Sequence, residues 1–373
     1  MREIYLTSTI RGTLLIESNS KVVVGKNMTV FASVESSDYY EDDSLFLDTC
    51  NNEFGRGLFF ARDKENIEIC AESNGIINGQ GFLWRKSPVR EKRPFLIRLV
   101  GCKNVKLKNL NLVDAACYAV SLHDCENVEI ENVNILSKWG YHDDGIGVSC
   151  CRAVRIKNCT INCGGDAIGL KSVEPILMRD VTIERCRIKT NSDGIKIGIE
   201  KGGDVENIRM RDCIFEKAAT AIKIVPSGHV RVENVVFENL IFGDTQTGAF
   251  VLTRKAEIAG LRFSDLKTYR TPSENGADCK LLLIGNKRKR IESVIVENCD
   301  LTVAGGGKAE ADMRVGNWNV THPEPSLLGE LPAYGMYACY VDGLTVKNVR
   351  FQPRVADERD AFSFQSVTGK TED

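Results

Sequence analysis

The chain has 373 residues, 43% of them hydrophobic, enough to bury a large core, which excludes a disordered chain and a disulfide-stapled miniprotein. Its 49 basic and 51 acidic side chains leave a net charge of -2, so no strong field draws it to phosphate backbones or anionic lipid, and nucleic acid is not an expected partner. No run approaches the roughly 20 apolar residues of a spanning helix, and the opening MREIYLTSTIRGTLLIE lacks the basic, apolar and small-residue order of a secretory signal. No membrane partner is therefore expected, and the chain reads as cytoplasmic, or as secreted if a leader has been removed.

In chain order, TLLIES, KVVVG, MTVFAS and NIEIC are short alternating segments of the kind that half-buried strands produce. From Val105 the alternation becomes a repeat. NVKLKNLNL, NVEIENVNI, AVRIKNCTI, DVTIERCRI, NIRMRDCIF, NVVFENLIF, GLRFSDLKT, SVIVENCDL and GLTVKNVRF anchor on Val105, Val128, Val154, Val181, Ile208, Val235, Leu261, Val294 and Leu344. The first step is 23 residues, the next five are 26 or 27, and the step lengthens only after Leu261. Within each unit a second short strand follows, as in YAVSL, GIGVS, AIGLK, GIKIG, AIKIV and FVLTR. Units of two or three short strands, without helical spacing for a crossover helix, predict coils stacked as a right-handed parallel β-helix, an all-β solenoid. A β-sandwich is the alternative, but antiparallel hairpins do not give so constant a period with such long turns.

One stack of coils has one continuous core, so residues 1–373 read as a single domain. The stretch at about 304–335, punctuated by Gly and Pro, reads as a long loop folded against the side of the helix, and the terminal SVTGKTED as frayed. The fourteen cysteines follow neither zinc-site pairs nor the density of a secreted scaffold. Cys159, Cys186 and Cys213 recur at one position of the repeat and predict a stack of small buried thiols, with disulfides as the alternative.

The second strands carry the chemistry. Asp144-Gly-Ile146, Asp166-Ala-Ile168 and Asp193-Gly-Ile195 each set an aspartate two residues before the first inward Ile, and the next coil has Thr220 there. Parallel strands lie about 4.8 Å apart, so Asp144 and Asp166 should stand one step apart and Asp144 and Asp193 two, close enough for mutual repulsion to share a proton. Turn chemistry explains any one Asp-Gly. It explains three in one register less well. Lys171, Lys196 and Lys223 follow on outward positions of the same sheet, as substrate ligands or as a solvated basic face, and Trp139, Tyr141 and His142 could stack on a sugar or pack on their own loop.

These stretches resemble the polygalacturonase family of glycoside hydrolases, family 28, in its bacterial members. The resemblance is carried by RGTLLIESNSKVVVGKNMTVFAS, NGIINGQGFLW, HDDGIGVSCCRAVRIKNC, GGDAIGLKS and DGIKIGIEKGGDVENI, and near the end by GELPAYGMY and DERDAFSFQSV. It implies a pectin-type or related plant oligosaccharide or polysaccharide as partner, hydrolysis with inversion, and no cofactor or metal. Carried over residue by residue, Asp144 matches the aspartate of the family's Asn-Thr-Asp-Gly motif and Asp166 the second of its Asp-Asp pair. Gly165 stands where the family has its general acid, Asp193 replaces the histidine of Gly-His-Gly, and Lys223 and Val225 replace the two basic residues of Arg-x-Lys.

The catalytic residues expected are therefore Asp144 and Asp166 as water-holding bases and Asp193 as the substitute acid, with His142, Lys171, Lys196, Lys223, Trp139 and Tyr141 binding substrate. Two ladder steps, roughly 9.6 Å, fall at the edge of the window for an inverting pair. A calcium-dependent lyase with Lys196 or Lys223 as base, and a carbohydrate-binding protein that lost its acid at Gly165, are the competing readings. The substrate groove is expected to run across the coils, from the Trp139–His142 turn to Thr245–Gly248 and Arg254–Lys255. Asp143, one residue off the ladder, is expected to matter little.

Overall fold

The structure, a computed structural model, describes residues 1–42, 46–47, 53–84, 92–138, 142–200, 202–270, 279–309, 320 and 322–372. Trp139 and Tyr141 lie outside the described residues. Three short strands, each starting from a turn, make one coil, and the strands of the coils pair in parallel with their counterparts in the neighbouring coils, while Phe46–Leu47 and Glu53–Phe54 form a separate antiparallel pair. In the first strands, Val105 pairs with Val128, Val128 with Val154, Val154 with Val181 and Val181 with Ile208. The series continues through Val235, Leu261, Val294 and Leu344, so every anchor of the repeat falls in one ladder.

The polar residues between anchors have a local reason. The residue before each anchor and the one that ends each first strand both take a positive φ, as at Asn104 (55°) and Asn109 (54°), Asn127 (55°) and Asn132 (54°), and Asn207 (56°) and Asp212 (56°). Asn and Asp tolerate this left-handed conformation better than other side chains with a Cβ. Stacked coils then bring their amides into hydrogen-bonded ladders. Asn127 donates to Asn104 at 2.7 Å, Asn104 to Asn66 at 3.0 Å and Asn66 to Asn19 at 2.8 Å. The next residue in each coil turns inward. Cys159, Cys186 and Cys213 occupy it, all buried, with the Cys186 N–H donating to the Cys213 sulfur at 3.3 Å. The thiols of the described cysteines are free, and the stack serves as small, deformable core.

Before the strand Ala333–Val355 the chain makes a 3₁₀ turn at Pro325–Leu328, and Leu328 and Leu331 are buried. The terminal residues differ from expectation. They form the strand Asp360–Glu372, paired along Ala333–Val355, because the last coil offers an open edge that SVTGKTE can extend.

Candidate functional site

The third strand of each coil positions the site. Ile146 pairs with Ile168, Ile168 with Ile195 and Ile195 with Ile222, and all four are fully buried. The corner before each strand makes two consecutive residues face inward. At this corner a Cβ on Gly145 would sit 2.6 Å from Ile161 Cγ2, and one on Gly194 would sit 2.4 Å from the Phe215 ring, while Ala167 and Ala221 fit within the core. A small residue there lets the Ile go in and turns the preceding aspartate out. Asp144, Asp166, Asp193 and Thr220 consequently share a row, with the backbone N–H groups of Gly145 and Ala167 bonded to the carbonyls of Asp166 and Asp193 at 2.9 Å. Tyr118, two residues before Val120, begins the row one coil earlier.

The row is tied together by lysines. Lys196 Nζ donates to Asp166 Oδ2 at 3.0 Å and lies 3.4 Å from Asp193 Oδ2, and Lys223 Nζ is 3.1 Å from the same Asp193 oxygen. Lys171 Nζ bonds the Tyr118 hydroxyl at 2.5 Å, 4.8 Å from its ring centre, and stands 3.8 Å from Asp144 Oδ2. These lysines are no solvated face: Lys171, Lys196 and Lys223 are 7%, 8% and 1% exposed. Nor do they form one row, since Lys196 and Lys223 pair at the position of Gly169 whereas Lys171 pairs with Ser149, two residues further on. Ser192 Oγ donates to Asp166 Oδ1 at 2.8 Å, and the Asp166 N–H to Asp144 Oδ1 at 3.2 Å.

This pattern divides the carboxylates by charge. Burial, and then the Asp166 charge, pushes Asp144 up to about 6, and the same two causes in the same order push Asp193 up to about 6. Burial also works against ionisation of Asp166, but Lys196, Lys171 and the Ser192 hydroxyl outweigh it and hold that carboxyl below the usual range. Lys196 is desolvated too, yet Asp166 and Asp193 hold its proton more firmly than usual. The centre of the row is an ionised carboxylate, and each neighbour keeps a proton up to weakly acidic pH.

A cleft of about 330 Å³ opens over this row, walled by His142, Asp143, Asp144, Asp166, Lys171 and Lys196, with Glu200, His322 and Glu324 closing it. Two expectations are corrected here. Asp143 lines the cleft beside Asp144 and is no neutral control. Among the described residues the cleft lining also does not reach Thr245–Gly248 or Arg254–Lys255: Val225, Phe250 and Leu252 on that face are buried with Leu328 and Leu331 of the long loop, and Glu324 of that loop bonds Lys223 at 2.5 Å. Asp193, between Lys196 and Lys223, is 2% exposed and does not line the cleft. Of the residues that sequence reasoning missed, Tyr118 was legible from its register in YAVSL, whereas His322 and Glu324 arrive from a loop whose landing place no local pattern encodes. Glu200, 8% exposed, directs a buried Oε2 without a hydrogen-bond partner, and no spacing marks it.

The fold and site together define a right-handed parallel β-helix with a cleft of carboxylates on the outer face of its coils. The family model for glycosyl hydrolases family 28 matches residues 20–316, and the chain belongs to that family. A probable polygalacturonase of Vitis vinifera is 26% identical over 184 residues, which is 45% of this chain and 36% of that protein. The match thus spans little more than a third of the length of the curated relative. Among solved structures, the family 28 exopolygalacturonase of Yersinia enterocolitica superposes with a TM-score of 0.75 at 13% identity, covering 98% of this chain and 71% of its own. The exopolygalacturonase of Thermotoga maritima superposes at 0.63 with 18% identity, covering 81% and 79%. At these identities the likeness shows the fold, the right-handed parallel β-helix.

Proposed function

We propose that the protein is a glycoside hydrolase cleaving a pectin-type polysaccharide or oligosaccharide in this cleft, with Asp144 as proton donor and Asp166 as the carboxylate that activates water. The observation that carries this reading is the split within one register: two neighbouring carboxyl groups on the cleft wall, one kept protonated to about pH 6 and one held ionised. Family membership supports hydrolysis with inversion. Gly165 leaves the usual donor position empty of a side chain, and a Cβ there would meet Asp144 Oδ1 at 2.1 Å, so Asp144 occupies the space that an acid at 165 would need. Asp193, enclosed by two ammonium groups, is assigned to holding Lys196 against Asp166 rather than to proton donation.

The calcium-lyase reading fits the residues poorly. The cation position between Asp166 and Asp193 is taken by Lys196, and a lysine whose proton is held more firmly than usual stays protonated and is not free to accept another.

The spacing favours one variation. Asp144 and Asp166 rise from adjacent coils, roughly 4.8 Å apart by strand spacing, nearer the separation of retaining pairs than of inverting ones. In that case Asp166 attacks the anomeric carbon directly. The test is incubation with a panel of pectic oligosaccharides, chromatography of the products and NMR of the first anomer released. Inverted product supports the water mechanism and retained product the covalent one. No cleavage by the wild type, or unchanged cleavage by Asp166→Asn, overturns the hydrolase.

A further inference from the structure

The charge balance of the cleft points to a kind of sugar. Asp143, Asp144, Asp166, Glu200 and Glu324 line it, against the ammonium groups of Lys171 and Lys196. Both lysines are already engaged, Lys171 by Tyr118 and Asp144 and Lys196 by Asp166 and Asp193. Lys223, which replaces the arginine of the family's basic pair, is 1% exposed and held between Asp193 at 3.1 Å and Glu324 at 2.5 Å, and its companion position is Val225, buried under the long loop. Burial, then Lys196 and Lys223, lowers the pKa of His322 and disfavours its charged form. Among the described residues that line the cleft, both lysines are thus engaged by groups of the protein, and a uronate would add one more negative charge in a desolvated site.

The second observation is Glu200. Its Oε2 is buried, lacks a hydrogen-bond partner and belongs to a side chain on the cleft wall. A buried acceptor left unmatched is costly, and a sugar hydroxyl is a donor of the right kind to satisfy it.

We propose that the sugar seated over Asp144 and Asp166 is a neutral one, with a hydroxyl that donates to Glu200, and that a uronate is excluded from this position. This inference rests on the reading of the cleft as a glycosidase site but concerns binding alone. It is consistent with a pectin-type substrate, whose backbone and branches carry neutral sugars as well as uronates.

The experiment is calorimetric titration of the wild type with matched methyl glycosides that differ only at C6, galactoside against galacturonide and glucoside against glucuronide, together with methyl rhamnoside, xyloside and arabinoside. At least one neutral glycoside should bind, and the neutral member of a matched pair should bind roughly tenfold or more tightly than its uronate. Glu200→Ala should weaken the neutral ligand about tenfold or more, and Glu200→Gln, which keeps the shape, should weaken it less. Equal or tighter binding of the uronate, no neutral ligand bound at saturating concentration, or full affinity in a folded Glu200→Ala protein overturns the inference. Neutral-sugar binding without hydrolysis of any oligosaccharide leaves it standing and removes the hydrolase. Cleavage of galacturonan by a protein that prefers uronate does the reverse.

Discussion

Asp166 governs its neighbours through charge, and its removal should be read in the pH profile. After burial, the Asp166 charge is the largest cause that raises Asp144 to about 6, so a reaction that needs Asp144 protonated loses rate as pH rises through that value. Asp166→Asn should lower the maximum rate by roughly a hundredfold or more, as loss of a base does, and move the alkaline limb of any residual activity to lower pH. A pH–rate profile of both proteins checks this, and an unmoved limb would place the titrating acid elsewhere. The same groups set a stability trend. Asp144 and Asp193 hold protons more tightly folded than unfolded, so the stability they contribute is fully present below the ordinary carboxylate pKa and is lost as pH rises through about 6. Asp166 behaves oppositely, its contribution being present above the ordinary value and lost as pH falls below it. Asp144→Asn keeps the acceptor for the Asp166 N–H but removes the desolvated charge. It should raise the unfolding free energy measured by chemical denaturation at pH 8 by about 1–2 kcal/mol, with little gain at pH 4, while abolishing activity.

At the scale of the strand and turn, the asparagine ladders explain why the repeat is legible and where it is weak. Ala153 holds a φ of 53° at the rung between Asn127 and Asp180, exposed, with no side chain to bond either. An alanine in the left-handed region costs about 1 kcal/mol, which Asn tolerates better. Ala153→Asn should therefore stabilise the protein by about 1 kcal/mol, adding a rung as well as relieving the backbone, and Ala153→Gly should recover only the backbone part. Urea melts of the two variants beside wild type separate the contributions, and a loss of stability in both would show that the turn does not set the energetics of the coil.

Across the whole molecule, the long loop does two things at once. Leu328 and Leu331 cover Val225, Phe250, Leu252 and Leu282, closing the outer face beyond Lys223, and the same segment delivers His322 and Glu324 to the cleft. Leu328 is fully buried, so Leu328→Ala should cost about 2–4 kcal/mol by truncation and cavity formation. Because that packing also seats Glu324 on Lys223, the variant should raise KM for any cleaved oligosaccharide more than it lowers kcat. Steady-state kinetics well below the melting temperature distinguish this from general unfolding, which would lower the active fraction and leave KM unchanged.

The coil architecture was readable from the chain alone because its determinants are local and repeated: alternation for each strand, a left-handed residue, most often Asn or Asp, at each turn, a small residue behind each outward aspartate. Once Val105, Val128 and Val154 are aligned, the register of Asp144, Asp166 and Asp193 follows from counting. What counting could not supply is how a side chain is screened. Lys171, Lys196 and Lys223 look alike on outward positions, yet one leans on Tyr118, one bridges two aspartates and one is capped by a glutamate 101 residues away. Protonation, exposure and the far end of the groove depend on those meetings, and the loop that brings Glu324 to Lys223 has no period to announce its path. Periodic hydrogen bonding made the helix predictable, while burial and charge compensation, which exist only once distant segments pack, decided which carboxylates the cleft presents.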